Sequence, residues 1–141
     1  MTKNIDMEAG VEIEIPFYDL DSANIAWHGN YVKYFEVARC VLLDKLHYNY
    51  LDMVESGFFW PVIDIYLRYI NPARFKQKIW VNAILVEWEN RLKIDYLITD
   101  IKTGSRLTKG YSIQVAVDIS SGELLLASPS ILYEKLGLKK L

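Results

Sequence analysis

Phe17-Tyr18-Asp19-Leu20-Asp21-Ser22-Ala23-Asn24-Ile25-Ala26-Trp27-His28-Gly29-Asn30-Tyr31 joins a strand-like segment to a long apolar helix. Asp21 lies at the end of the strand-like part, and His28-Gly29-Asn30 opens the helix. A helix start offers unpaired backbone N–H groups and a partial positive charge. A fixed carboxylate facing such an end is what acyl transfer needs. One group attacks or activates water, and the other receives the oxyanion.

Upstream of this stretch, residues 11–17 alternate. Val11, Ile13, Ile15 and Phe17 fall on one side, with Glu12 and Glu14 on the other, the pattern of a half-buried strand. Pro16 near its end suggests an edge or a bulge. Downstream, residues 30–47 follow a helical period, with Asn30 or a neighbour as the cap. Tyr31, Phe35, Ala38, Leu42 and Lys45 make one stripe, and Tyr34, Val37, Val41 and Leu46 widen it. Charged Lys33, Glu36, Arg39 and Asp44 occupy little of the surface, and a helix this apolar belongs inside something.

The rest reads as strands. Residues 60–70 are β-branched and aromatic and stop at Asn71-Pro72; residues 79–88 lead to a turn at Glu89-Asn90-Arg91. Residues 92–101 end at Thr103-Gly104-Ser105, residues 107–119 at Ser120-Ser121-Gly122, and residues 123–128 form a short last strand before Pro129. Short turns make neighbouring strands antiparallel. One long helix with five or six strands is an α+β layer structure. Residues 1–141 are expected to form a single domain, with residues 1–9 as a flexible N-terminal tail.

Composition agrees with one globular core: 141 residues, 52% hydrophobic and 24% charged. Ten Tyr, five Phe and four Trp supply core, an interface or an apolar ligand slot. A net charge of −2 gives no global field to attract nucleic acid or an anionic membrane. No apolar run approaches membrane-spanning length, and residues 1–10 lack an apolar signal core. A soluble, cytoplasmic location is the expectation for this chain taken as complete. Cys40 is the single cysteine, so no internal disulfide forms; its apolar helical setting suggests an inert core thiol.

Asp21, Trp27-His28-Gly29-Asn30-Tyr31, Phe35-Glu36 and Ala38-Arg39 together resemble the signature of the 4-hydroxybenzoyl-CoA thioesterase-like group of hotdog acyl-CoA thioesterases. That signature is an aromatic, two acids one residue apart, a short loop, a Tyr/Trp-His-x-x-Tyr helix start, and Phe-Glu-x-Ala-Arg within the helix. Residues 67–74, Leu-Arg-Tyr-Ile-Asn-Pro-Ala-Arg, resemble the family's second-strand ending. The likeness spans roughly residues 12–129. It implies the hotdog fold, an antiparallel sheet wrapped around one long central helix. It also implies hydrolysis of an acyl or aroyl thioester to free acid and thiol.

By the same resemblance, Asp21 matches the catalytic carboxylate, and a backbone N–H at His28 polarises the thioester carbonyl. Gly29, Asn30 and Tyr31 extend that helix end as substrate-binding residues. Active sites lie between two subunits, so a homodimer is implied, with a homotetramer left open. No cofactor is implied, coenzyme A being part of the substrate. Asn24 stands where the family usually has Gly, and Leu20 replaces the commoner Thr between the acids.

Several roles stay open on the residues themselves. Asp21 is either a nucleophile, forming an anhydride, or a general base on water, and a loop-capping Asp is the bland alternative. Asp19 reads as structural. His28 either acts through its backbone N–H alone or assists as an acid or base. A metal site is not expected: only one other His is present, with no Cys or carboxylate cluster at a suitable spacing. Glu36 and Arg39, at i and i+3, make a helical ion pair, or Glu36 faces the acyl group. Trp60 walls the acyl slot or packs the core. For coenzyme A phosphates the candidates are Arg68, Arg74, Lys76, Lys78, Arg91 and Lys93.

The carrier is coenzyme A or acyl carrier protein. Coenzyme A is the leading expectation; residues 60–64 and 85–93 look similar to a subgroup found beside bacterial aryl polyene genes, which brings in acyl carrier protein as the second. A non-catalytic acyl-thioester-binding dimer or scaffold is the alternative from another class. A hotdog dehydratase is disfavoured, because the His-x-x-x-x-Pro-Gly type of motif is absent.

Overall fold

The computed structural model describes residues 6–140. In chain order its elements are β1 (Glu8–Glu14), α1 (Asn30–Lys45), α2 (Tyr50–Glu55), β2 (Phe58–Phe59), β3 (Val62–Tyr69), β4 (Lys78–Glu87), β5 (Leu92–Asp100), β6 (Arg106–Gln114), β7 (Val117–Asp118) and α3 (Ser130–Leu136). Five strands form one antiparallel sheet in the order β1-β4-β5-β6-β3, and β2 pairs with β7 apart from it. The expected architecture, one long helix against an antiparallel sheet, is the one found.

Period-two alternation explains how the sheet meets the helix. In β4, Ile79, Val81, Ala83 and Leu85 are buried while Trp80, Ile84 and Val86 face out. Ile94 and Ile98 of β5 continue the inner face. Against it α1 lays Tyr31, Tyr34, Phe35, Ala38 and Leu42, all nearly or fully buried. Each such aliphatic or aromatic side chain contributes about 1.5–3 kcal/mol relative to exposure.

On β6, Gly110 lies under the Phe35 ring of α1. Phe35 stacks on Tyr96 with ring centroids 4.3 Å apart and planes 7° from parallel. A Cβ on Gly110 would stand 2.0 Å from the Tyr66 carbonyl oxygen and 2.9 Å from the Phe35 ring. The missing side chain leaves room there for the backbone of β3 and for the Phe35 ring.

Several expectations need correction. β1 starts at Glu8, so Glu8 and Ala9 belong to the sheet and not to a tail; residues 1–5 lie outside the described residues. Phe17 is not on the strand's apolar face. It sits in a single 3-10 turn, 72% exposed, edge-on to Phe75. Residues 123–128 make one isolated bridge, Val117 with Leu124, because the chain turns away to start α3. The strand expected over residues 60–70 is β3, which starts only at Val62; Trp60 and Pro61 separate it from the short β2 at Phe58–Phe59. Cys40 is exposed on α1 and is not a core thiol.

Candidate active site

Two hydrogen-bonded closures shape the loop between β1 and α1. Leu20 bridges to Ala26, and the Asp21 N–H donates to the Ile25 carbonyl at 2.9 Å. Asn24 sits at φ +61°, taking in this loop the left-handed turn the resemblance gives to Gly. The Ala26 N–H donates to the Ala73 carbonyl at 2.8 Å, tying the loop to the segment after β3.

The two acids of the loop have different surroundings. Asp19 is 3% exposed. Its carboxylate accepts from Lys33 Nζ and from the Tyr34 hydroxyl, each at 2.7 Å, and its carbonyl accepts from Asn30 Nδ2 at 2.8 Å. Burial pushes the Tyr34 hydroxyl well above the usual tyrosine range, and the bond to Asp19 adds to the shift. Asp21 is half-buried, and among the described residues its carboxylate accepts only the Ala23 N–H, through Oδ1 at 2.8 Å. Oδ2 of Asp21 is free to face a ligand.

Asp21, Ile25, Ala26, His28, Tyr31, Tyr69, Ile70, Asn71 and Pro72 line one cavity of about 340 Å³. The sequence-derived pair, Asp21 and His28, therefore shares a single hollow. Gly29 caps α1 with helical backbone angles and no side-chain cap. A Cβ there would lie 2.2 Å from the Trp27 ring, so glycine allows Trp27 to fold beside the helix start. The Asn30 N–H is bonded to the Trp27 carbonyl at 2.9 Å, whereas the N–H groups of His28, Gly29 and Tyr31 have no acceptor among the described residues.

Tyr31 accepts the Ala73 N–H on its hydroxyl oxygen at 3.1 Å, and its own O–H has no acceptor among the described residues. Burial raises its pKa, and neighbouring Tyr69 and Asp21 act in the same direction. It is a neutral donor beside a carboxylate. Tyr69 was not singled out from the sequence: its hydroxyl donates to the His28 carbonyl at 2.7 Å, across 41 residues of chain that no spacing rule connects.

Glu36 and Trp60 are elsewhere. They line a cavity of about 670 Å³ between α1, α2 and β2, with Arg39, Cys40 and Gln114. Trp60 is both wall and core: it is 6% exposed and donates through Nε1 to the Tyr48 hydroxyl at 3.1 Å. Glu36 both pairs with Arg39 and lines the cavity. Arg91 and Lys93 line neither cavity. Arg91 pairs with Glu87 at 2.7 Å, and Lys93 lies 4.6 Å over the Tyr111 ring. Among the described residues no three His, Cys, Asp or Glu converge as for a metal ion. Among the described residues no helix is long and apolar enough to cross a membrane.

Comparison with known proteins agrees with this architecture, which is the hotdog fold. A family model described as the thioesterase-like superfamily matches residues 15–134. A Synechocystis protein named "Putative esterase" is 25% identical over 89% of this chain and 76% of its own. A Bacillus subtilis protein named "Putative acyl-CoA thioesterase" is 31% identical over 55% of this chain and 56% of its own. The solved structure of a DHNA-CoA thioesterase from Staphylococcus aureus superposes with a TM-score of 0.76 at 26% identity, covering 84% of this chain and 80% of that one.

Proposed function

Because the chain belongs to the thioesterase-like superfamily, we propose that it hydrolyses an acyl or aroyl thioester of coenzyme A at the hollow between Asp21 and the start of α1. The observation that carries this reading is the shared cavity of Asp21 and His28, with acceptor-free N–H groups at the same helix end. A thioester carbonyl oxygen placed there accepts from the His28 or Gly29 N–H, and the helix end favours the negative charge that develops on it. The carboxylate of Asp21 then has two routes. It attacks the carbonyl carbon, expelling the thiolate and leaving an acyl-aspartyl anhydride that water opens; or it takes a proton from water, whose oxygen attacks instead. The thiolate is a good leaving group, which suits a site with no strong acid beside it.

A second copy of the chain completes the reading. β3 is an edge of the sheet, and Val62, Ile63, Ile65, Tyr66 and Tyr69 on it are 36–57% exposed. A sheet edge so apolar calls for cover. Antiparallel pairing of β3 with its copy about a two-fold axis sets the end of one strand beside the start of the other. The Asp21 hollow, which includes Tyr69, then meets the 670 Å³ cavity of the other copy, which includes Val62. The thioester sits in the first and the acyl group in the second. Arg68, Arg74, Lys76 and Lys78, exposed at and beyond the end of β3, are the phosphate-binding candidates nearest in sequence to the hollow's Ile70–Pro72 wall.

The test is release of free thiol from a panel of acyl and aroyl thioesters, on coenzyme A and on carrier protein, comparing wild type with Asp21→Asn. Loss of the nucleophile or base lowers kcat by at least about 100-fold. Unchanged turnover in Asp21→Asn removes Asp21 from the reaction.

A further inference from the structure

Two polar groups of the Asp21 hollow are unpaired and opposite in kind. Among the described residues, Oδ2 of Asp21 accepts from no group and the Tyr31 O–H donates to none. Both side chains line the same hollow, yet no hydrogen bond joins them. They are neighbours all the same, since the Asp21 charge acts on the Tyr31 hydroxyl and helps to hold its proton. A buried tyrosine hydroxyl usually finds an acceptor. Tyr31 is 3% exposed, and its donor has none.

The hydroxyl is fixed in place. Its oxygen takes the Ala73 N–H, and Ala73 in turn ties down Ala26 of the loop. Tyr34 and Tyr69 stand edge-on to the Tyr31 ring, with centroids 5.7 and 5.2 Å away. With one lone pair used by Ala73, the O–H is left as an oriented donor. His28 lies three residues earlier and lines the hollow too. The side-chain donor, the helix end and the Asp21 carboxylate thus border one space.

A group that speeds a reaction must bond more strongly in the transition state than before it. Of the acceptors a bound thioester brings, sulfur is weak, whereas the carbonyl oxygen gains negative charge as the tetrahedral stage forms. An oriented donor acts most on that oxygen.

We propose that Tyr31 is a catalytic residue, its hydroxyl donating to the thioester oxyanion as the side-chain partner of the helix-end N–H. This rests on the thioester-hydrolase reading of the hollow. The proton stays on the tyrosine oxygen. As the C–S bond breaks, the oxyanion's electron pair re-forms the carbonyl and the thiolate leaves with the bonding pair. Burial, which holds this hydroxyl above the usual tyrosine range, keeps it a neutral donor at neutral pH.

The experiment measures kcat and KM by thiol release for wild type, Tyr31→Phe, and the protein with difluorotyrosine in place of Tyr31. Assays run near pH 6, where the phenols keep their protons, and well below each Tm. Tyr31→Phe is expected to lose about 100-fold in kcat with KM within about 3-fold of wild type. Difluorotyrosine, a stronger donor of similar shape, keeps kcat at or above wild type. A Tyr31→Phe protein with lowered Tm and wild-type kcat overturns the proposal, since the hydroxyl then serves only the Ala73 N–H. A difluorotyrosine protein slower than wild type overturns it as well.

Binding repeats the comparison without turnover. A coenzyme A thioether bearing a trifluoromethyl ketone takes up hydroxide to become a tetrahedral oxyanion, and the plain methyl ketone does not. By calorimetry, Tyr31→Phe is expected to weaken the first by about 100-fold and the second by less than about 3-fold. Equal Kd for the trifluoromethyl ketone in both proteins, with Asp21-dependent thiol release, overturns the role of Tyr31 and leaves hydrolysis intact. Selective weakening with no thiol release from any thioester upholds the oxyanion donor and overturns the hydrolysis.

Discussion

The hydroxyl of Tyr69, last residue of β3, donates to the carbonyl of His28 at 2.7 Å, so the edge strand holds the turn from which α1 starts. The same ring stands edge-on to Tyr31, with centroids 5.2 Å apart. Tyr69→Phe keeps the packing and removes the bond. It is expected to cost about 1 kcal/mol of stability and to lower kcat several-fold by loosening the helix start, read from thermal melts and thiol release. Full turnover in this variant would separate Tyr69 from the positioning of His28.

Asp19 and Asp21 are predicted to fail in opposite ways. Asp19→Ala leaves the Tyr34 hydroxyl without its acceptor and strips Lys33 of its partner. Because Lys33 is half-exposed and rehydrates, the cost is about 2–4 kcal/mol and not the full penalty of a buried pair. Denaturant melts should report that loss, while Asp21→Asn melts like wild type. Equal stability of the two variants would show that the buried acid is dispensable.

Gly110→Ala drives a methyl group toward the Tyr66 carbonyl and the Phe35 ring. Backbone on one side and a stacked ring on the other leave little room to relax, so a loss of about 1–3 kcal/mol or more is expected. Near-ultraviolet circular dichroism, reporting the Phe35–Tyr96 stack, should change with it. A variant as stable as wild type would mean that α1 tolerates a higher seat on the sheet.

Stability should fall above pH 10. Burial raises the hydroxyl pKa of Tyr34 and Tyr48, and pushes that of Tyr96 up to about 12. Below about pH 10 both folded and unfolded chains keep these protons. Above it the unfolded chain releases them while the folded chain does not, so folding weakens as pH rises through this window. Each such tyrosine contributes a slope of up to about 1.4 kcal/mol per pH unit. Melts between pH 8 and 11.5 with absorbance near 295 nm test this. Ionisation of every tyrosine near 10 with no loss of Tm contradicts it.

Ile63→Lys with Ile65→Lys places charge on the apolar edge of β3 and is expected to convert a pair of chains to single chains by light scattering. Thiol release falls by at least about 10-fold as the acyl cavity of the second copy is lost. A wild type that is fully active as a single chain refutes the pairing.

The sequence was most legible where one short segment carries the chemistry. Asp21, His28 and Tyr31 come from a single loop and helix start, so local reading brought them to one cavity. Tyr69 and Gln114 reach their places through strand pairing, which no spacing in the chain reveals. Cys40 was misread because α1 is apolar on more than one face, and periodicity does not separate core from a face left open. α2 and α3 had readable ends: Asn49 with Asp52 forms a capping box, and Gly137 at φ 70° closes α3. Their short lengths left too little periodicity to stand out from loop.

The sheet's two margins differ in character. Along β1 the exposed residues are Glu8, Glu12 and Glu14, so a second such margin arriving there meets its own charge. Growth from strand to strand is thereby capped at one border and invited at the other. Under the proposed two-fold pairing, association along β3 would close on itself instead of propagating, leaving a β-rich chain no open apolar rim from which to build fibrils.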